Sequence, residues 1–382
     1  MVSQPEHSMH DFECCRNGKR KYANPRCFIA FVVFISFHTM MFGIFGLWKS
    51  NSWSQHLPIK PFTDKSNGLR RNLQSISPLQ AEILNKFQLP THGHKPTVVK
   101  RYKSMTTNEE LKQKCSTCAI VSTSGQMLNT KAGHMINNAS CIIRMNHAPT
   151  EHYKEDVGSR TTIRVICHMS TENVMVNAEG ILSGDGAPEK VLFFGLNANN
   201  HRWAKMNAYK LMKQFPDVDY YSLDKFGELN ADIIFELETG KSKKNTNTWL
   251  STGWYTFLVA IDMCEEIDVY GFVDENYCRK HPHKKTKYHY FQSWDKPDEC
   301  DYYRSHENAS LIGGHRFLTE KAVFSRWAHL YNITFHYPPW NISRTSEAPV
   351  VDTPWVRKVE EEKSLPLMLF QSFAQWAFGS MY

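Results

Sequence analysis

Residues Cys27 to Trp48 read CFIAFVVFISFHTMMFGIFGLW, 22 positions without one Asp, Glu, Lys or Arg. A run of that length spans the ~30 Å hydrocarbon core of a bilayer as a single helix. A cleaved signal peptide has a shorter apolar region and a small-residue cleavage site, and neither is visible here. Arg16, Lys19, Arg20, Lys21 and Arg26 precede the run, whereas only Lys49 follows it closely. That bias puts residues 1–26 in the cytoplasm and everything past the span on the far side. The sequence thus predicts a single-pass type II membrane protein with a signal-anchor at 27–48.

This placement sets how the totals are read. The formal charge of +7 draws partly on the basic cytoplasmic flank, and no Arg/Lys cluster interleaved with aromatics follows, so nucleic-acid binding is not indicated. Seven of the ten cysteines (115, 118, 141, 167, 264, 278 and 300) fall beyond the span. An oxidising compartment favours bridges over metal ligation there, and Cys115-x-x-Cys118 has no second CxxC partner. An odd count leaves at least one thiol free, paired between chains or in the core. Sequons at Asn138, Asn308, Asn332 and Asn341 agree with a body exposed to glycosylation.

Residues 49–112 are polar, with scattered Pro and Lys, and read as a stem that could form a local helix around 78–87. From about 113 the texture changes. Short β-branched runs occur at Cys118–Ser122, Cys141–Met145, Ile163–Cys167, Val191–Leu196, Val218–Leu223, Ile267–Phe272 and Asn332–Tyr337. Stretches of helical spacing lie between them, as at Trp203–Phe215, Trp254–Cys264 and Thr319–Tyr331. Alternating strands and helices predict an α/β fold, a mostly parallel sheet covered on both faces over 113–343. Ligands in such folds gather beyond the carboxyl ends of the strands. The remainder, 344–382, holds a charged stretch and an apolar one at 365–376. It reads as an amphipathic segment or a poorly ordered extension.

Four segments carry chemistry. Ser251-Thr252-Gly253 opens a predicted helix, where unpaired N–H groups and the helix dipole favour a phosphate or carboxylate. Thr123-Ser124-Gly125-Gln126 is a small-residue turn after a strand, a way to bring backbone amides near a nucleotide, although it is neither GxGxxG nor a P-loop. Asn146 ends the next strand, where its amide could meet a base or ribose or cap a turn. Tyr288-His289-Tyr290-Phe291 and His315-Arg316-Phe317-Leu318-Thr319-Glu320 follow. Thr319 is expected to cap a helix, leaving His315 in the loop before it as a candidate general base.

In order, these four segments resemble the long, short, third and very short motifs of the animal-type sialyltransferases, over about Cys115 to Trp340. Glu238-Thr239-Gly240-Lys241, Asn146-x-Ala148-Pro149-Thr150, Asp156-Val157-Gly158 and Arg316-Phe317-x-Thr319-Glu320-Lys321 are similar to the N-acetylgalactosaminide α-2,6-sialyltransferases that extend sialylated acceptors. The resemblance implies a variant GT-A-like (Rossmann-type) catalytic domain and an inverting transfer from CMP-sialic acid, without metal or other cofactor. The acceptor it implies is the 6-hydroxyl of GalNAc in sialylated Galβ1,3GalNAc, on glycoproteins or gangliosides. It also implies a Golgi membrane location, and self-association is left open.

Carried onto this chain, the resemblance places Ser124, Gln126 and Asn146 along the cytidine and ribose. Ser251, Thr252 and Gly253 would meet the phosphate or the sialyl carboxylate. His289 would stabilise the departing phosphate, Tyr290 would shape that pocket, His315 would deprotonate the acceptor, and Glu320 would structure its loop or the donor site. Positioning, one base and anion stabilisation suffice for a good leaving group. The resemblance also implies a Cys118–Cys264 bridge. Cys278–Cys300 would close the loop carrying His289, and Cys115–Cys141 would leave Cys167 as a free thiol. The chain departs from the family pattern at Asn137, Gln292 and Phe194-Gly195.

Three other readings compete. Asp217-Val218-Asp219 mimics a DxD pair that could bridge a divalent cation to a diphosphate in a metal-dependent GT-A enzyme. A non-catalytic carbohydrate-binding membrane protein could retain the fold. A serine hydrolase is disfavoured, since no GxSxG occurs.

Overall fold

The computed structural model describes residues 95–293, 296–309, 313–342 and 350–361. The span at 27–48, the tail before it, the segment at 78–87 and the apolar stretch at 365–376 lie outside the described residues. Among the described residues no helix is long and apolar enough to cross a membrane.

The β-branched runs become strands of one sheet: β2 (Cys115–Val121), β3 (Cys141–Met145), β4 (Thr161–Cys167), β5 (Pro188–Phe194), β6 (Asp219–Leu223), β8 (Cys264–Tyr270) and β10 (Ile333–His336). With β1 (Tyr102–Ser104) they form eight strands in the order β1-β6-β5-β4-β3-β2-β8-β10. Every pairing is parallel except β1 with β6. All five residues of β3 are buried, Arg144 among them, as in a parallel sheet whose two faces are covered by helices. From β2 the chain builds outward through β3 to β6, then returns to place β8 and β10 on the other side. The order therefore reverses at β2, and the crevice beyond that point is where an open α/β sheet binds ligands.

The principal helices are α1 (Thr171–Val176), α2 (Arg202–Gln214), α3 (Lys225–Thr239), α4 (Thr252–Met263), α5 (Glu299–Asn308), α6 (Phe317–Leu330) and α7 (Pro354–Glu361). A two-residue ribbon pairs β7 (Thr248–Trp249) with β9 (Gly314–His315) in parallel. The helix α4 is apolar all round, and of its twelve residues only Thr252 and Asp262 escape full burial. A helix of that composition is stable only when enclosed. One side meets β2, β3, β4 and β8. On the other, Trp254 packs between Trp327 of α6 (4.9 Å) and Phe235 of α3 (5.5 Å), while Phe257 stacks on Phe324 at 3.9 Å.

Three sequence expectations change. Residues before 113 were expected as stem, yet Val98, Val99, Tyr102 and Leu111 are buried in the main core, and Tyr102 pairs with Leu223 across β1–β6. Their apolar side chains are too widely spaced to register as a periodic pattern. Part of the C-terminal extension is also ordered. Val351 and Trp355 are buried, Thr353 hydrogen-bonds Thr319 at 2.8 Å, and the Arg316 guanidinium lies over the Trp355 ring. Thr319 does not cap α6, which begins at Phe317. The Glu307 carboxylate from α5 accepts from the Leu318 and Thr319 N–H groups and from the Thr319 hydroxyl. A long-range carboxylate has replaced the local cap, which local spacing cannot reveal.

Disulfides join Cys115 to Cys141, Cys118 to Cys264 and Cys278 to Cys300, leaving Cys167 half-buried as a thiol. The sulfurs of Cys115, Cys118 and Cys141 cluster as a metal site would, but two bridges occupy them. The Cys118–Cys264 link closes a separation of 146 residues. In the chain-entropy account a loop that long stabilises by up to about 5 kcal/mol. Replacing both cysteines by Ala is expected to cost about 2 to 5 kcal/mol in denaturant titration, and an unchanged midpoint would contradict this assignment.

Candidate active site

A cavity of about 730 Å³ opens beyond the carboxyl ends of β2, β3, β4, β5 and β8. Its wall takes Ser122–Ser124 after β2, Met145–Ala148 after β3, Cys167–Ser170 after β4, Phe194 of β5, and Gly271 and Phe272 after β8. The start of α4, the His289 loop and the β9–α6 junction complete it. Asp217 and Asp219 are exposed at the opposite, amino-terminal end of β6 and do not line it. This corrects the DxD alternative: those carboxylates cannot serve this cavity. Among its lining residues Glu320 is the sole carboxylate.

The amino terminus of α4 faces the cavity through Ser251, Thr252 and Gly253. Ser251 is the N-cap, its hydroxyl accepting from the Trp254 N–H at 3.1 Å. Its N–H donates to Glu320 Oε1 at 2.9 Å, and its hydroxyl donates to Oε2. The Ser251 hydroxyl is therefore engaged by protein on both sides, leaving the amides of the first turn and Thr252 for a ligand. Glu320 is buried, and burial pushes its carboxyl up to about 8, against the lowering by Ser251 and Lys321. A carboxyl kept largely neutral near pH 7 does not repel an anion arriving at the helix terminus. Lys321, the next residue, is also buried, with its Nζ over the Tyr303 ring at 4.3 Å and no hydrogen-bond acceptor among the described residues.

Asn146 fastens three elements at one point. Its backbone is left-handed (φ 49°), its Oδ1 accepts from the Cys167 N–H at 3.1 Å, and its Nδ2 donates to the Thr252 hydroxyl at 3.2 Å. The turn after β2 is similarly pinned. The Ser122 hydroxyl donates to the Gly271 carbonyl, and the Ser124 hydroxyl accepts from the Gln126 N–H. Gly125 lets its backbone run against that of Lys287, where a Cβ would come within 2.8 Å of the Lys287 carbonyl oxygen.

That contact, with the Tyr290 N–H donating to the Thr123 carbonyl, seats the His289 loop on the turn. His289 Nδ1 lies 2.9 Å from the Thr123 hydroxyl, and its ring stacks parallel to Phe291. Burial first, then His147, pushes its pKa down to about 4. His315 sits in β9, not in a free loop, with register Trp249↔His315. Its Nδ1 is 2.8 Å from the Trp249 carbonyl oxygen. A carbonyl only accepts, so Nδ1 carries the proton and Nε2 presents a lone pair. Burial, with His306 and Arg316 adding to it, lowers its pKa to about 4. Arg316 holds the ribbon in place, donating to the carbonyls of Thr246, His306 and Glu307 and to the Thr248 hydroxyl.

Eight of the ten residues singled out from sequence line the cavity: Ser124, Asn146, Ser251, Thr252, Gly253, His289, His315 and Glu320. Gln126 and Tyr290 do not. Gln126 turns into a polar cluster, donating to Glu299 at 3.0 Å and reaching Tyr277 and Thr286. The Tyr290 ring packs on Tyr153 and its hydroxyl donates to the Pro149 carbonyl, so it braces the loop from behind. Sequence reading missed Lys321, His147 and the stacked pair His168–His201 at 3.7 Å, all on the wall. The strand-end rule pointed to His147 and His168, each within two residues of a parallel strand's end. Lys321 stands in the Arg316–Lys321 motif, but nothing in the sequence marks its side chain as facing a ligand.

The family described as glycosyltransferase family 29 (sialyltransferase) matches residues 72–326. The chain is 39% identical over 246 residues to mouse alpha-N-acetylgalactosaminide alpha-2,6-sialyltransferase 3, covering 63% of this chain and 79% of that protein. It is 37% identical over 263 residues to bovine alpha-N-acetylgalactosaminide alpha-2,6-sialyltransferase 6, covering 68% and 78%. The human alpha-N-acetyl-neuraminyl-2,3-beta-galactosyl-1,3-N-acetyl-galactosaminide alpha-2,6-sialyltransferase is 38% identical over 258 residues, covering 65% and 84%.

Glu320 yields a pH prediction. Its folded pKa, about 8, lies above the unfolded value of 4.5. The folded state binds more protons between these values, so the carboxyl's contribution is full below about 4.5 and is lost as pH rises through about 8. Glu320→Gln removes this titration, and its denaturant stability is expected to fall less than wild type's between about pH 5 and about pH 8. Parallel stability profiles for the two proteins would sink this account of Glu320.

Proposed function

The chain belongs to glycosyltransferase family 29 and is a sialyltransferase, and on that premise we propose how its cavity works and on what. The donor is CMP-sialic acid, and the acceptor is the 6-hydroxyl of GalNAc in sialylated Galβ1,3GalNAc. The carrying observation is one cavity holding an open helix amino terminus, a histidine seated on the β2 turn, and a second histidine whose Nδ1–H is fixed by a carbonyl.

His315 Nε2 takes the proton from the acceptor hydroxyl as the oxygen attacks the anomeric carbon. The bond from that carbon to the phosphate breaks in the same displacement, with inversion, and the CMP phosphate leaves with the electron pair. The Thr123 hydroxyl can donate to His289 Nδ1, which leaves the proton on Nε2 for a hydrogen bond to the phosphate. The α4 terminus takes a phosphate or carboxylate oxygen through its amides and Thr252, beside the Lys321 ammonium. Ser124 and Asn146, which line the cavity, meet the nucleoside in this reading. A divalent cation prefers several oxygen ligands, and one carboxylate with a raised pKa is a poor set, so the reading is metal-independent. The enzyme acts as a single-pass type II protein of the Golgi membrane with the described body lumenal.

Incubation with CMP-sialic acid and a panel of sialylated glycoprotein and ganglioside acceptors, followed by linkage mapping, tests the specificity. An α2,6 link to GalNAc is expected, and no transfer to any GalNAc-containing acceptor overturns it. Excess EDTA is expected to leave the rate unchanged, and abolition by EDTA would restore a metal-dependent reading. His315→Ala should lower kcat about 100- to 10,000-fold while CMP binding holds. With a base whose pKa is about 4, kcat/KM should not lose its acidic limb to His315 until pH falls towards that value. A limb near the ordinary histidine value that vanishes in His315→Ala would contradict the depressed pKa.

A further inference from the structure

His168 and His201 line the cavity and have no part in the transfer described above. His168 follows β4 and His201 lies between β5 and α2, so two adjacent parallel strands deliver them to one point. Their rings stack with centroids 3.7 Å apart and planes 14° from parallel. Gly195 makes that stack possible. Its backbone is left-handed (φ 80°), and a Cβ there would come within 2.3 Å of His168 Nδ1, so a side chain would displace the ring. The Gly195 N–H donates to Glu228 Oε1 at 3.0 Å, and its carbonyl oxygen lies 2.7 Å from His201 Nδ1.

These contacts fix what each ring offers. A carbonyl only accepts, so His201 carries a proton on Nδ1, and in the neutral ring its Nε2 presents a lone pair. His168 Nδ1 is buried without a partner. An orphaned buried N–H is the costlier arrangement, which leaves the His168 proton on Nε2. Burial first, then His201 and Lys243, pushes the His168 pKa down to about 4, so this ring is neutral near pH 7. Neither Nε2 has a hydrogen-bond partner among the described residues, and neither is a buried atom. The wall thus offers one N–H and one lone pair on rings in contact. A carboxylate or phosphate only accepts and would meet the lone pair unfavourably. A vicinal diol matches, one hydroxyl accepting and its neighbour donating.

The position on the wall narrows the diol. β4 and β5 are the second and third strands out from β2, roughly 10 to 15 Å away at the usual spacing, with β3 and Asn146 between. The nucleoside assigned to Ser124 and Asn146 lies on the nearer side, and the pair faces sugar beyond it. In the reading above, both substrates carry a sialic acid, whose glycerol chain ends in a vicinal diol. We propose that His168 and His201 form a subsite for that diol, His168 Nε2–H donating to one hydroxyl and His201 Nε2 accepting from the other. The subsite rests on the donor and acceptor reading and determines specificity without entering the displacement.

Mild periodate followed by borohydride removes the terminal diol of a sialic acid. The ratio of kcat/KM for intact over shortened sialic acid is measured in two arms, one shortening the acceptor and one shortening the donor's sugar before it is coupled to CMP. Wild type is expected to prefer the intact form about tenfold in one arm, through two neutral hydrogen bonds, and that arm identifies the source. His168→Phe keeps a ring without nitrogens, and His201→Asn keeps a donor for the Gly195 carbonyl without Nε2. Both are expected to bring the ratio within about twofold of unity, and should one fail to fold the other decides. His168→Gln, which restores a donor, is expected to recover most of the preference. A wild-type preference that survives in a folded His168→Phe or His201→Asn overturns the subsite, as does wild type indifferent to shortening in both arms. Wild type that transfers nothing sinks the reading of the reaction. Calorimetric binding of intact and shortened sialylated glycans to wild type and variants then decides the subsite by the same ratios.

Discussion

Enclosure of α4 is the constraint from which the site follows. A helix that buries ten of twelve residues has to lie between the sheet and a second helical layer, and its Trp254 and Phe257 set where α3 and α6 can sit. Once α4 is fixed, its amino terminus has one place to go, the crevice where strand order reverses beside β2. Packing therefore aims a concentration of unpaired amides at that crevice. The Cys118–Cys264 bridge ties β2 to the residue that ends α4 and begins β8, so terminus and turn share one rigid frame.

Around that frame, distant segments are placed by contacts that do not touch the cavity. Arg316 binds the β7–β9 ribbon to the end of α5 and stacks on Trp355, and the ribbon holds His315 in one tautomer. Glu307 caps α6 and so positions Glu320 and Lys321 within its first turns. Tyr290 and Gly125 seat the His289 loop. The base, anion terminus and phosphate-facing histidine proposed above would need mutual placement within about half an ångström to act together, and these supports hold the three segments in place.

The strands were legible because parallel, doubly covered strands are rich in β-branched and apolar residues, and β3 was placed at both ends from sequence alone even with Arg144 inside it. β1 was not legible: three residues with one fully buried side chain do not make a pattern, and an antiparallel edge is added only once β6 exists to pair with it. Eight cavity residues were found through ordered motifs, which specify identity but not direction. Direction is why Gln126 and Tyr290 do not line the wall, since each belongs to a motif whose neighbours do while its own side chain turns inward to partners over 140 positions away. The α6 cap failed for a related reason, because Thr319 has the composition of a cap while the group that acts as one arrives from α5.

Glu320 also couples chemistry to the surrounding medium. Burial outweighs the two donors of Ser251 and favours the protonated carboxyl. An anion at the neighbouring helix terminus adds a second negative charge nearby and strengthens that preference, so ligand capture and proton uptake reinforce each other. Raising pH through about 8 should therefore weaken the hold of this helix terminus on an anion.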